Sequence, residues 1–162
     1  MWLALVLSCV CMWPSQAQVV IDRVVAVVNG DVITQSDLRA ARTLRLVPDE
    51  SDAATVQRII DRRLALAELQ RFQAPAAPAS DVDARRQVWA ASLGGQSVDD
   101  LLARAGVEAW FVERWIANDV RLEQYIAQRF AALTEDRRAA AITAWRESLR
   151  TRAEIVFRDQ RF

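Results

Sequence analysis

The sequence predicts a mainly α-helical fold: about six helices, with a small β-sheet formed by an N-terminal hairpin and a C-terminal strand. Three observations predict it. Asp22 to Leu38 reads DRVVAVVNGDVITQSDL, in which two β-branched apolar runs flank Asn29-Gly30. Between Gln35 and Arg152, apolar residues recur at helical spacing, broken by cap and turn signals. Ala153 to Phe157, AEIVF, is short and β-branched and reads as a strand. A hairpin and a lone strand are each marginal in water, so the two are expected to pair into one sheet.

The hairpin comes first. Asn and Gly both tolerate the positive φ that a type I′ turn requires. Thr34 and Asp37 have capping-box spacing and open a first helix, expected from about Gln35 to Leu46 and stopped ahead of Pro48. A second helix is expected from Asp52 to Phe72, with Val56, Ile59, Ile60, Leu64, Ala67 and, at its margin, Leu66 on one buried stripe. Gln73 to Ala79, QAPAAPA, is a stiff connector. Ser80 and Asp83 are spaced to cap a third helix, which ends near Gly94-Gly95. Ser97 and Asp100 open a short fourth helix, closed by Gly106. The fifth and longest is expected from Glu108 to Leu133. At about 100° per residue, Val112, Ile116, Val120, Ile126 and Phe130 share its core face. Phe111, Trp115 and Leu122 flank that face, and Trp110 lies on the far side. Thr134 caps a sixth helix, with Glu135 and Asp136 in its first turn and Ile142, Trp145 and Leu149 on one face.

Ahead of the hairpin, Trp2 to Trp13 is mostly apolar and about the length of a signal-peptide core. It is too short to span a bilayer, which takes about 20 residues. Pro14 ends the run, and Ser15-Gln16-Ala17 has the small-x-small shape of a cleavage site. Residues 1–17 therefore read as a signal peptide, leaving one domain over residues 18–162. No Lys or Arg precedes the run, so either the signal is weak or the start lies upstream; a buried N-terminal helix or strand is the alternative. Cys9 and Cys11 both lie in this segment, so the mature chain would hold no disulfide and no thiolate metal site. Acylation at Cys9 is a lipoprotein alternative.

Charge and histidine content narrow the chemistry. The chain carries 21 basic and 21 acidic residues, and every basic residue is Arg. A balanced charge gives no electrostatic basis for binding nucleic acid or an anionic membrane. There is no histidine, which removes Ser-His-Asp and Cys-His sites, His-ligated metals and His proton shuttles. Four glycines form no phosphate loop. The expectation is a non-enzyme without cofactor or metal.

The chain resembles the N-terminal core domain of SurA-type periplasmic chaperones, a fold also similar to the C-terminal region of trigger factor. The matching residues are Asp22 to Thr34 with Ser36-Asp37-Leu38, then Ile59-Ile60-Asp61-Arg62-Arg63-Leu64, then Ala103 to Gly106 with the helix through Leu122 to Phe130, and last Trp145 to Phe157. The first motif is fairly specific; the helical ones are weak alone. Full-length relatives insert parvulin-type prolyl isomerase domains before the returning C-terminal segment. Here Phe130 leads within a few residues to Thr134, and a parvulin domain needs about a hundred residues. The resemblance therefore implies the chaperone core without the isomerase.

It also implies a periplasmic protein that holds unfolded outer-membrane or secreted polypeptides without catalysis. Such a protein needs apolar surface left open to solvent. The candidates are Trp110, Phe111 and Trp115 on the fifth helix, Trp89 on the third, and Tyr125, with arginines able to stack on client aromatics. Trp115 and Phe111 also flank the core stripe, and Trp115 reads more readily as core; Trp145 reads as core by spacing. The alternative function is a dedicated envelope interaction subunit, or a homodimer formed through the Trp110–Trp115 surface.

Overall fold

A computed structural model describes residues 22–158; the signal peptide read at residues 1–17, with both cysteines, lies outside the described residues. The elements are β1 (Val24–Val28), β2 (Asp31–Thr34), α1 (Gln35–Thr43), α2 (Asp52–Arg71), α3 (Ala79–Ser92), α4 (Val98–Ala105), α5 (Ala109–Arg129), α6 (Glu135–Thr151) and β3 (Ile155–Phe157). The predicted fold class forms: among the described residues there are six helices and one antiparallel sheet of order β2-β1-β3.

Local chemistry at the sheet follows the sequence closely. Asn29 and Gly30 take φ of +50° and +88°, the turn that lets β1 and β2 pair at their right-handed twist. Thr34 and Asp37 cap α1 reciprocally: Asp37 N–H donates to Thr34 Oγ1 at 3.3 Å, and Thr34 N–H to Asp37 Oδ2 at 3.0 Å. Asn29 also fastens the far end of the chain. Its N–H donates to the Glu154 carbonyl at 2.9 Å, and its Oδ1 accepts from the Glu154 N–H at 2.9 Å. β3 then runs antiparallel to β1, with Val156 opposite Val27.

Several helix ends differ from expectation, for identifiable reasons. α1 stops at Thr43 because Leu44 and Val47 turn into the interior. The exit is a Schellman turn with Arg45 at φ +51°, closed by Leu46 N–H to the Ala41 carbonyl at 2.8 Å. α2 ends in the same way, with Gln73 at φ +50° and Ala74 N–H donating to the Leu69 carbonyl at 3.0 Å. Ser80 does not cap α3: the N-cap is Pro78, two residues earlier, the helix starts at Ala79, and the Ser80 hydroxyl donates to Asp81 at 3.2 Å. Thr134 occupies the N-cap position of α6 without a side-chain cap bond. α5 ends at Arg129, so Phe130 to Leu133 belongs to the turn into α6. Gly106 closes α4 at φ +68°, and Ser97 caps it at 3.3 Å, both as expected.

The interior divides into two clusters. One joins β1, β2, α1, α2 and α6 through Val25, Ile33, Leu38, Ile60, Leu64, Trp145 and Leu149, with Leu122, Ile126 and Phe130 of α5 and its C-terminal turn packed against it. The other joins α1, α4 and the first half of α5 through Leu44, Leu93, Leu101, Val112, Ile116 and Val120. The single apolar face expected along α5 is thus shared between two cores. α1 belongs to both, Leu38 and Ala41 facing one and Ala40 and Leu44 the other. On α2 the stripe is rotated from expectation: Ala65, Glu68 and Leu69 are buried, and Ala67 is exposed. Arg150 docks α6 on α2 through Asp61 and Gln57, and Arg121 pins the Pro/Ala connector to α5 at the Pro75 carbonyl, 2.9 Å away. Among the described residues, no helix is long and apolar enough to cross a membrane.

Candidate functional site: an arginine-aromatic cleft between α2 and α5

A cleft of about 280 Å³ opens where α2 faces the first half of α5, lined also by Asp31 of β2 and Asp37 of α1. Helical spacing builds both walls. On α2, Arg62 and Leu66 are four residues apart and point the same way, with Arg63 beside them. On α5, Phe111, Trp115 and Asn118 repeat at the same period, with Arg114 at the rim.

The aromatic residues form a connected run. Trp110 meets Phe111 edge-on at 6.4 Å between ring centroids, and Phe111 meets Trp115 at 5.9 Å. Arginines lie over this run. The Arg114 guanidinium sits 4.5 Å from the Trp110 ring and that of Arg62 sits 3.8 Å from the Trp115 ring. Arg62 is anchored as well as stacked: Nε donates to Asp119 Oδ1 at 2.8 Å and Nη2 to the Trp115 carbonyl at 3.0 Å. Burial holds the Arg62 pKa below its ordinary value and the Asp119 pKa above its own; in each, loss of water outweighs the attraction of the partner. Arg63 approaches Asp37 at 3.9 Å, a looser pair.

Three of the five residues singled out in the sequence therefore come together. Trp110 is half exposed at 49%, as its position on the far side of α5 predicted, and its indole N–H donates to Glu108 at 3.0 Å. Phe111 and Trp115 are half-buried; Trp115 packs on the sheet-side core and Phe111 on the other. The remaining two lie elsewhere. Trp89 lines a separate apolar groove of about 380 Å³ bounded by α3, α4 and α5, and its indole N–H donates to the Leu44 carbonyl at 2.8 Å. Tyr125 packs on Trp145 at 6.1 Å and accepts from Arg129 at 3.0 Å, beside the connector.

Sequence reasoning missed Arg62 and Arg114 as members of the site. Arg62 was visible as a charge set among Ile59, Ile60 and Leu64, and Arg114 as a partner four residues from Trp110. Chemically, the cleft offers cations over aromatic faces, two carboxylates, and the amides of Gln70 and Asn118. Such a surface can stack aromatic side chains and bond extended backbone. Among the described residues, no group of three or more His, Cys, Asp or Glu is placed to hold a metal ion. No protein-family model matches the chain, and no curated protein matches it significantly.

Proposed function

We propose that this protein is a non-catalytic, SurA-like periplasmic chaperone that binds unfolded outer-membrane or secreted polypeptides along the α2/α5 cleft. The observation that carries this reading is the run Trp110–Phe111–Trp115 beside an open cleft, with Arg114 and Arg62 stacked on it. An exposed indole under a guanidinium presents a flat surface of mixed character at low entropic cost. It tolerates many aromatic and aliphatic partners without demanding one sequence. Trp110 contributes the exposed end of this surface; Phe111 and Trp115, held by the cores, contribute its rigid floor. The apolar leader and the resemblance of the hairpin to SurA-type proteins support the periplasmic setting.

The test is suppression of aggregation. An outer-membrane β-barrel protein is diluted from urea with the purified protein present, and light scattering is followed. The expected result is slowing at stoichiometric amounts without ATP; unchanged aggregation at about fivefold excess overturns the reading.

A further inference from the structure

The geometry points to self-association of this protein through the outer edge of β3, which no other strand among the described residues pairs with, in an antiparallel two-fold pairing centred on Val156 that merges two three-stranded sheets into one of six. β3 is an edge of the sheet β2-β1-β3. Its pairing with β1 fixes which backbone groups face outward. Asn29 N–H bonds the Glu154 carbonyl and Arg158 N–H bonds the Val25 carbonyl at 3.1 Å. Glu154, Val156 and Arg158 thus direct their backbone groups at β1, and the alternating geometry of an antiparallel ladder turns those of Ile155 and Phe157 to the open side.

A second copy fits this edge in a specific way. With the two-fold axis at Val156, Ile155 lies opposite Phe157 of the second copy and exchanges both backbone bonds with it, and the reciprocal pair does the same. All outward groups of the strand are then used. The same register sets Glu154 opposite Arg158 of the second copy, twice across the axis, so the strand Glu-Ile-Val-Phe-Arg is complementary to itself in charge. Moving the axis to Ile155 or Phe157 keeps the parity of the backbone groups but loses both charge pairs. The side chains agree as well. Val32, Val27 and Val156 form a cross-strand row on one face of the sheet, with Val32 45% and Val156 37% exposed. The pairing joins two such rows at Val156 into one apolar stripe. Asp31, Asp37 and the α2/α5 cleft are not used, so client binding and self-association are separable.

The experiment is sedimentation of the full chain across about 5 to about 500 μM, a range suited to the weak affinity of a small interface. Concentration-dependent dimerisation is expected. Glu154→Arg or Arg158→Glu alone places like charges together at both pairs and should weaken the dimer about tenfold. The double variant E154R/R158E restores the complement and should restore the dimer. Circular dichroism and thermal midpoint of each variant check the fold. In hydrogen exchange, the Ile155 and Phe157 amides should gain protection with concentration while that of Val156 stays unchanged. A monomer throughout the range, a dimer indifferent to the single reversals, or a double variant that fails to recover would each overturn the pairing. Protection of the same amides by an unfolded β-barrel protein, with this chain still monomeric, would overturn it in favour of a client strand.

Discussion

Two of the concave surfaces beside α5 use tryptophan in opposite ways. In the groove bounded by α3, α4 and α5, Trp89 is fixed at both ends of its ring system. Its body packs against the core cluster that holds Leu102 and Val112, and its N–H is committed to the Leu44 carbonyl across the α1 turn. Beside the α2/α5 cleft, Trp110 has Arg114 over its face, Phe111 at its edge and Glu108 at its N–H, all on or beside its own helix. A tryptophan tied to a remote backbone carbonyl holds the fold together. One tied only to its own helix costs the fold little and leaves its surface to a partner.

The largest expected effect comes from breaking the first of these. Trp89→Ala removes half-buried ring area and leaves the Leu44 carbonyl without its donor, at a cost of about 3 kcal/mol in chemical unfolding. Trp89→Phe keeps most of the area and loses the bond, at about 1 kcal/mol. Suppression of client aggregation at low temperature, where both variants remain folded, should match wild type. A loss of suppression in Trp89→Phe would assign Trp89 to the binding surface and erase the contrast.

Arg62 is the next in size and lies on the boundary between the two roles. Arg62→Ala strands Asp119 in a site where water is scarce and uncovers the Trp115 face. Removing one member of a buried pair commonly costs several kcal/mol; with the Arg62 and Asp119 side chains 15% and 32% exposed, about 2 kcal/mol is expected. Arg62→Ala with Asp119→Ala should recover part of that loss, because the lone carboxylate is gone. A double variant no more stable than the single one would show that stacking on Trp115, not the ion pair, holds Arg62.

How legible these regions were in the sequence follows the same physics. The hairpin and the α1 cap were legible because Asn29-Gly30 and Thr34–Asp37 satisfy their backbone needs within a few residues. That β3 would join the hairpin was legible from the marginality of each alone; that it joins β1 rather than β2 was not. Helix ends at Arg45 and Gln73 were not, because no residue preference marks a left-handed Arg or Gln; tertiary burial of Leu44 and Leu69 sets those turns. Exposure of Trp110 was legible from the helical wheel. The separation of Trp89 from Trp110 was not, since it depends on how α3 crosses α5 and on a bond from α3 to the α1 turn.

Trp110→Ala tests the open side of the contrast directly. Stability should change by less than about 0.5 kcal/mol, since the ring is half exposed and its contacts are local. The concentration needed to halve client aggregation should rise about three- to tenfold, the range expected when one aromatic anchor is lost. Arg114→Gln should act in the same direction and more weakly, since it removes the cation over the same ring. An unchanged half-suppression concentration for Trp110→Ala would move the client surface away from this end of α5.

The smallest effect is a pH dependence with opposite signs at two carboxyls. Burial raises the Asp119 pKa above its ordinary 3.8, although Arg62 opposes this. The folded state therefore takes up a proton at Asp119 before the unfolded state does, and stability gains from this group as pH falls from above the raised value toward 3.8. Asp22 behaves oppositely. Asp22 is exposed, and the small loss of water it suffers pushes its pKa up, but hydrogen bonds from Ser36 and Thr34 together outweigh that and hold it below 3.8. Its contribution is present above 3.8 and is lost as pH falls through the lowered folded value. Unfolding midpoints of wild type and Asp119→Asn, compared at successive pH values, isolate the cleft. Their difference should change only above pH 3.8, in favour of wild type as pH falls, and flatten below it. Protonation of Asp119 also releases Arg62 from its charge partner. Carboxyl carbon shifts of Asp119 recorded with and without an unfolded client should then show whether a bound client displaces this pair.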